Sequence, residues 1–242
     1  MIKHIDDKDS LRLKMNGGVY ELNETLLFKR LLKPTDIFVD IGAHIGYYSD
    51  IAAGIITSGE IHAFEPNPEN FKLLDINMLS NKPEPKISLY QLAMGNKFKS
   101  GGLYVNDKNT GDHRAYKTKG ESRRKVEVEF AYLDGFDYFN KINFLKIDTQ
   151  GFEVEVLKGA KRIINESPDL QMIVEYSPVH LKLAGTTPGT LIGILVDYGF
   201  NIYVHTKRGW LYANSETFLP NNDNHRNLFC SRKRYQGIEW GE

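Results

Sequence analysis

Cysteine is nearly absent: Cys230 is the only one in 242 residues. That excludes an internal disulfide and a cysteine-built zinc cage. Its setting, Asn227-Leu228-Phe229-Cys230, reads as a buried strand, so a core thiol is expected rather than a nucleophile. A charge excess is absent too. Lys+Arg and Asp+Glu both number 31, so no global field draws the chain to nucleic acid. Long apolar runs are also missing. The longest uncharged stretch, Leu183 to Val196, contains Pro188 and is too short to span a bilayer. Met1 to Ser10 is charged and has no apolar signal core. These absences lead us to expect a soluble chain in a reducing, cytoplasmic setting, with no membrane span and no nucleic-acid partner. The remainder, 41% hydrophobic and 26% charged, suits one globular domain over 1–242.

Apolar runs alternate with amphipathic ones. Residues 1–33 form an N-terminal extension: a hairpin-like segment from Leu11 to Tyr20 turning at Asn16-Gly17-Gly18, then a helix carrying Leu26, Leu27, Leu31 and Leu32, capped by Asn23. Strands are expected at Ile37–Asp40, Ile61–Phe64, Lys86–Leu92, Ile142–Ile147, Leu170–Val174, Asn201–His205 and Asn227–Ser231. The last two are joined by a polar loop holding Trp210 and Tyr212. Asn67-Pro68-Glu69 opens one intervening helix, Gly151 a second and Thr187-Pro188 a third. Strands alternating with helices give an α/β fold with a parallel sheet, whose ligands sit beyond the strands' carboxyl ends. Asp40, Glu65, Asp148 and Glu175 all fall at such ends and should rim one crevice.

The rhythm breaks between Lys97 and Lys125, a polar, glycine-bearing insert flanked by two strand-like runs, Gly102–Val105 and Lys125–Phe130. Long inserts of this kind are lids, binding loops or disordered segments. This one holds Asp112-His113-Arg114 and a local excess of cations at Lys117, Lys119, Arg123, Arg124 and Lys125.

The most telling segment runs from Asp36 to Glu65. A strand breaks into Asp40-Ile41-Gly42-Ala43-His44-Ile45-Gly46, a small-residue helix follows, and a second strand ends in Glu65-Pro66-Asn67-Pro68. Glycines allow the sharp turn and a close backbone approach to a ligand, and the acid on the second strand can accept both ribose hydroxyls. The spacing departs from the dinucleotide pattern G-x-G-x-x-G, and the Asp40 carboxylate would repel a pyrophosphate. It can instead hold a cationic α-amino group. S-adenosylmethionine has that ammonium, a ribose and no phosphate.

Three places resemble the FkbM family of S-adenosylmethionine-dependent methyltransferases: Val39-Asp40-Ile41-Gly42-Ala43-His44-Ile45-Gly46-Tyr47-Tyr48, Phe64-Glu65-Pro66-Asn67-Pro68, and Leu145-Lys146-Ile147-Asp148-Thr149-Gln150-Gly151-Phe152-Glu153 with Val156-Leu157-Lys158-Gly159-Ala160 after it. They span roughly residues 34 to 205, and the third is the most specific to the family; His44 stands where Asn is more usual. The resemblance implies a class I methyltransferase fold, a Rossmann-like three-layer sandwich with a mostly parallel seven-stranded sheet and an antiparallel last strand. It also implies O-methyl transfer to sugars or secondary metabolites.

Methyl transfer from a sulfonium needs an in-line acceptor oxygen and a base for its proton, and the leaving group is neutral. On this reading Asp40, Gly42, Ala43, His44 and Gly46 form the methionine-side pocket, Glu65 with Asn67 holds the ribose, and Ala93 lies near adenine. Asp148 borders the sulfonium and caps the helix that follows as its alternative role. Asp148, Glu175 and His113 are the candidate bases, and an imidazole is a usable base at neutral pH. Arg114, Asp112, Gln150, Glu153 and Trp210 are the candidate acceptor contacts, with Arg114 suited to an acidic sugar and Trp210 to a sugar face. Glu153 also sits in a first helical turn, where the dipole alone favours an acid. Asp148 and Glu175 can together approach a divalent cation, but too few ligands are evident to assign a metal. Rival readings are an amino-methylating nucleic-acid enzyme and a non-catalytic cofactor-binding module. The first is disfavoured by Asp148-Thr149-Gln150-Gly151 where an Asn/Asp-Pro-Pro-aromatic motif would stand, the second by the intact acid and glycine motifs.

Overall fold

The computed structural model describes residues 19–79, 86–137, 141–207, 209–213 and 225–235. The expected hairpin turn at Asn16-Gly17-Gly18 lies outside the described residues. Helix α1 (Leu22–Leu31) precedes β1 (Ile37–Ile41), α2 (Tyr47–Ala53), β2 (Glu60–Phe64), α3 (Pro68–Leu79) and β3 (Lys86–Tyr90). After the insert come β7 (Phe144–Ile147), α4 (Glu153–Lys158), α5 (Lys161–Glu166), β8 (Gln171–Tyr176), α6 (Pro178–Leu183), α7 (Pro188–Asp197), β9 (Asn201–Thr206), β10 (Gly209–Tyr212) and β11 (Arg226–Ser231).

The main sheet runs β10-β9-β11-β8-β7-β1-β2-β3. β3, β2, β1, β7 and β8 pair in parallel, and β11 inserts antiparallel between β8 and β9. The sheet therefore has eight strands, one more than expected. The extra one is β10, an antiparallel partner of β9 formed by the stretch read as a polar loop, where Trp210 faces inward. Period-two alternation sorts the side chains onto two faces. Phe38, Phe144 and Ile173 pack with Phe28 of α1 and Tyr48 and Ala52 of α2, while Val39, Leu145, Ile147, Met172 and Val174 pack on the other side with α4, α5 and α7. Helices on both faces make the three-layer α/β sandwich. Among the described residues, no helix is long and apolar enough to cross a membrane.

Local chemistry explains most boundaries. Asn67 caps α3, its Oδ1 accepting from Glu69 N at 2.9 Å and Asn70 N at 3.0 Å. Thr187 caps α7 through Thr190 N. The expected Asn23 cap is wrong: Asn23 lies inside α1, and the preceding Glu21 adopts a left-handed φ of 46° with no capping bond. The insert carries its own sheet, in which β6 (Arg124–Ala131) pairs antiparallel with β5 (Lys99–Val105) and parallel with β4 (Ala93–Met94). Its apolar cluster of Ala93, Leu103, Val105, Val128 and Phe130 fastens the insert beside the strand ends.

Candidate active site

A cavity of about 720 Å³ opens at the carboxyl ends of the parallel strands. Asp40, Gly42, Ala43, His44, Glu65, Ala93, Asp112, His113, Asp148, Gln150 and Glu175 line it. The sequence anticipated all of these.

At one end the turn after β1 and the tip of β2 lock together. Glu65 is buried, and its two carboxylate oxygens accept His44 N and Asn67 N, each at 2.9 Å. Burial pushes its carboxyl up to about 7, against those two hydrogen bonds. Asp40 is buried beside it, with Oδ2 accepting from Ser49 Oγ at 2.8 Å. Its Oδ1 has no hydrogen-bond partner among the described residues. An orphaned carboxylate oxygen in a cavity wall suits a cationic ligand group, and the S-adenosylmethionine ammonium fits it. Gly42 holds φ at +79°, and a Cβ there would lie 1.9 Å from the Asp148 carbonyl oxygen, so the β1 turn crosses β7 at backbone contact. Gly46 and Asn67 do not line the cavity. Gly46 makes room for Leu74, and Asn67 acts on Glu65 and on its own helix.

At the other end a chain of polar groups crosses three strands. Lys146 donates to Asp148 Oδ2 at 3.0 Å, and Gln150 Nε2 donates at 2.8 Å to both Asp148 Oδ1 and Glu175 Oε1. His225 Nε2 stands 2.8 Å from Glu175 Oε1. Burial works to raise the Asp148 carboxyl, but the Lys146 charge and the two hydrogen bonds win and hold it below the usual range. Burial, then Asp148 and Glu153, push Glu175 well above that range. Lys146 is itself buried, yet Asp148, Glu21 and Asp40 keep it charged, and its ammonium sits 4.7 Å over the Tyr48 ring. That ammonium takes the position a cation would need against Asp148. Among the described residues no group of three metal-type side chains could hold an ion.

Four expected roles are corrected. His113 lines the cavity, but its Nδ1 accepts from Asn106 N at 3.1 Å, which spends the lone pair of the neutral ring. Burial, with His44 nearby, lowers the imidazole to about 4, so it is a weak base. Arg114 is no free anion grip. Asp112 (2.8 Å), Glu121 (3.2 Å), Thr118 (3.2 Å) and His180 (3.2 Å) occupy its guanidinium, outside the cavity lining. Trp210 is fully enclosed with Leu27, Tyr203 and Phe229 and has no face for a sugar. Glu153 is likewise buried away from the cavity, its Oε1 accepting Thr149 N, Thr149 Oγ1 and Gly151 N to brace the loop before α4.

The insert does reach the Asp40–Glu65 end. Thr110 contacts His44 Nε2 at 3.2 Å through Oγ1 and accepts from Asn70 Nδ2 at 3.1 Å. Tyr116 Oη donates to the Gln150 carbonyl at 2.8 Å. Sequence reasoning missed Lys146, Glu21, His180 and His225, which also line the cavity. Lys146 carried a signal, a charge inside an apolar strand; the other three carried none. Glu21 is pinned by Tyr48 Oη at 2.7 Å and Asn227 Nδ2 at 3.0 Å. Among the described residues, the non-glycine positions with positive φ, Glu21, His44 and Gln150, all line this cavity, a concentration of backbone strain that marks functional sites.

The methyltransferase FkbM domain model matches residues 40–202, a range that holds both ends of the cavity. The chain belongs to the FkbM methyltransferase family. A curated relative, the hexuronic acid methyltransferase AglP of Haloferax volcanii, is 27% identical over 125 residues, covering 51% of this chain and 49% of that protein. The FkbM chain thus spans about half the length of that relative. Among solved structures, precorrin-6y C5,15-methyltransferase from Geobacter metallireducens superposes with a TM-score of 0.51 at 12% identity, covering 96% of this chain and 99% of that one. A SAM-dependent O-methyltransferase from Thermotoga maritima gives 0.50 at 11%, covering 93% and 72%. At such identities these two speak to the fold alone, a class I methyltransferase fold.

Proposed function

We propose that this S-adenosylmethionine-dependent methyltransferase methylates an oxygen of a sugar or glycan precursor, with an acidic sugar as the leading acceptor class. The observation that carries the reading is a single cavity joining the Asp40–Glu65 end to the Lys146–Asp148–Gln150–Glu175 end. Its volume falls within the range of about 300–1,000 Å³ for small-molecule sites. The AglP name supports a uronic acid as the acceptor. Glu65 would accept the ribose hydroxyls, Asp40 would meet the ammonium, and Ala93 would lie against the adenine. The bound cofactor supplies an electrophilic methyl group on a sulfonium. The protein's part is to exclude water, align the acceptor oxygen and take its proton. Thr110 and His113 of the insert close the cavity wall.

The test is transfer of labelled methyl from S-adenosylmethionine to nucleotide sugars with and without a uronic acid, beside bulk RNA. Label on the uronic acid sugars is the expected result. Label on RNA, or on none of the acceptors, would reject the reading.

A further inference from the structure

The structure assigns a base to the acceptor end: we infer that His225, oriented by Glu175, takes the proton of the acceptor hydroxyl. The inference rests on the sugar O-methyltransferase reading above. His225 comes just before β11, and the register sets Arg226 opposite Tyr176 and Asn227 opposite Glu175. That pairing brings the imidazole to the mouth of the cavity, where it is 58% exposed and Glu175 is buried.

The hydrogen bonds fix the roles. Glu175 Oε2 accepts Gln150 N at 3.1 Å, while Oε1 accepts Gln150 Nε2 at 2.8 Å and faces His225 Nε2 at 2.8 Å. Burial keeps the Glu175 carboxyl protonated to above the ordinary carboxylate range. Once it ionises, with both Gln150 nitrogens donating to it, it takes the His225 Nε2 proton, and Nδ1 is left without a partner among the described residues. An acceptor O–H gives its proton to Nδ1 as the oxygen–carbon bond forms. The carbon–sulfur bond breaks and its electron pair goes to sulfur. The imidazolium, held against Glu175, then returns its proton to bulk water, which its exposure permits. Competing groups lack this combination. Lys146 and Gln150 take both oxygens of Asp148, Asn106 takes the His113 lone pair, and Arg114 Nη2 takes His180 Nε2 at 3.2 Å. The charged and titratable groups around the pair are Lys146 on β7, Asp148 just after it, Glu153 on α4, His180 on α6 and Glu21 before α1.

The experiment pairs kinetics with histidine nitrogen NMR. In His225→Ala, kcat should fall about 10²–10⁴-fold with S-adenosylmethionine affinity unchanged by calorimetry, and added imidazole should restore part of the rate. Unchanged kcat overturns the proposal, and so does a loss that imidazole does not repair. Glu175 is a positioning residue, so its readout is the ring tautomer. In the wild-type chain the ¹⁵N spectrum should show His225 protonated at Nε2, and Glu175→Gln should give a mixture of tautomers. An Nδ1-protonated ring, or a tautomer indifferent to Glu175→Gln, overturns the assignment even if no acceptor has been found. Absence of methyl transfer by the wild-type chain, with the Nε2 tautomer intact, rejects the acceptor reading instead.

Discussion

Glu65 shows how one side chain ties stability to binding. Its carboxyl rises from the ordinary value of about 4.5 to about 7 because it is buried. Without ligand, the folded state therefore holds the proton more tightly than the unfolded state. Stability is lost as pH climbs from about 4.5 to 7 and levels off above, a change on the order of 3 kcal/mol. Urea denaturation at pH 5 and pH 8 should show this fall, with Glu65→Gln removing that share of it. On the proposed ribose role, ligand binding runs the other way, because the ionised form would accept two ribose hydroxyls and the protonated form would not. Affinity for adenosine, which has the ribose but no amino group, should rise through pH 7 in calorimetry. Glu65→Ala should cost about 1–3 kcal/mol of binding at pH 8. Undiminished affinity would move the ribose elsewhere in the cavity. The two glycines of the same turn should behave differently. Gly42→Ala drives a methyl into the Asp148 carbonyl at 1.9 Å and should prevent a folded cofactor turn. Gly46→Ala meets only flexible side-chain ends, Leu74 Cδ1 at 2.7 Å and Met78 Cε at 3.2 Å, and should cost about 1–2 kcal/mol for its left-handed backbone. Thermal melts of the two variants separate these outcomes.

The insert is the element whose shape the sequence disclosed least. Its flanking strands were legible from alternation, but the link between them was not, because Arg114 bonds to Asp112 and Glu121 within the insert and to His180 on α6. A lone Asp-His-Arg triplet looks the same whether it faces a ligand or latches a loop. Removing the buried guanidinium leaves its carboxylate partners short of charge. Arg114→Ala should destabilise the chain by about 3 kcal/mol and open the segment 106–123 to trypsin while the main sheet stays resistant. An unchanged digestion pattern would mean the latch does not hold the insert. The cofactor turn was readable for the opposite reason: Asp40, Gly42 and Glu65 lie within one strand–turn–helix–strand unit, so local sequence encodes their geometry. Glu175 and His225 meet only because β11 returns antiparallel beside β8, a pairing no local pattern announces.

At the scale of the whole molecule, α1 and the late strands share a core. Leu27, Tyr203, Trp210 and Phe229 form one buried cluster, with Trp210 and Phe229 rings 6.3 Å apart. Trp210→Ala should destabilise the protein by about 3–5 kcal/mol in urea denaturation and leave the acceptor KM unchanged. A raised KM with unaltered stability would return Trp210 to the acceptor site. The sheet order has a further consequence for anyone dissecting the gene. The family match ends at residue 202, yet β11, at Arg226–Ser231, lies in the sheet between β8 and β9. A fragment cut at the homology borders would lose an interior strand and the Glu21 and Asn227 contacts, and would leave β8 as a bare edge prone to sticking to other chains. The heritable unit recognised by similarity is thus smaller than the sheet it belongs to, and a transplant or fusion should carry at least Glu21 through Ser231.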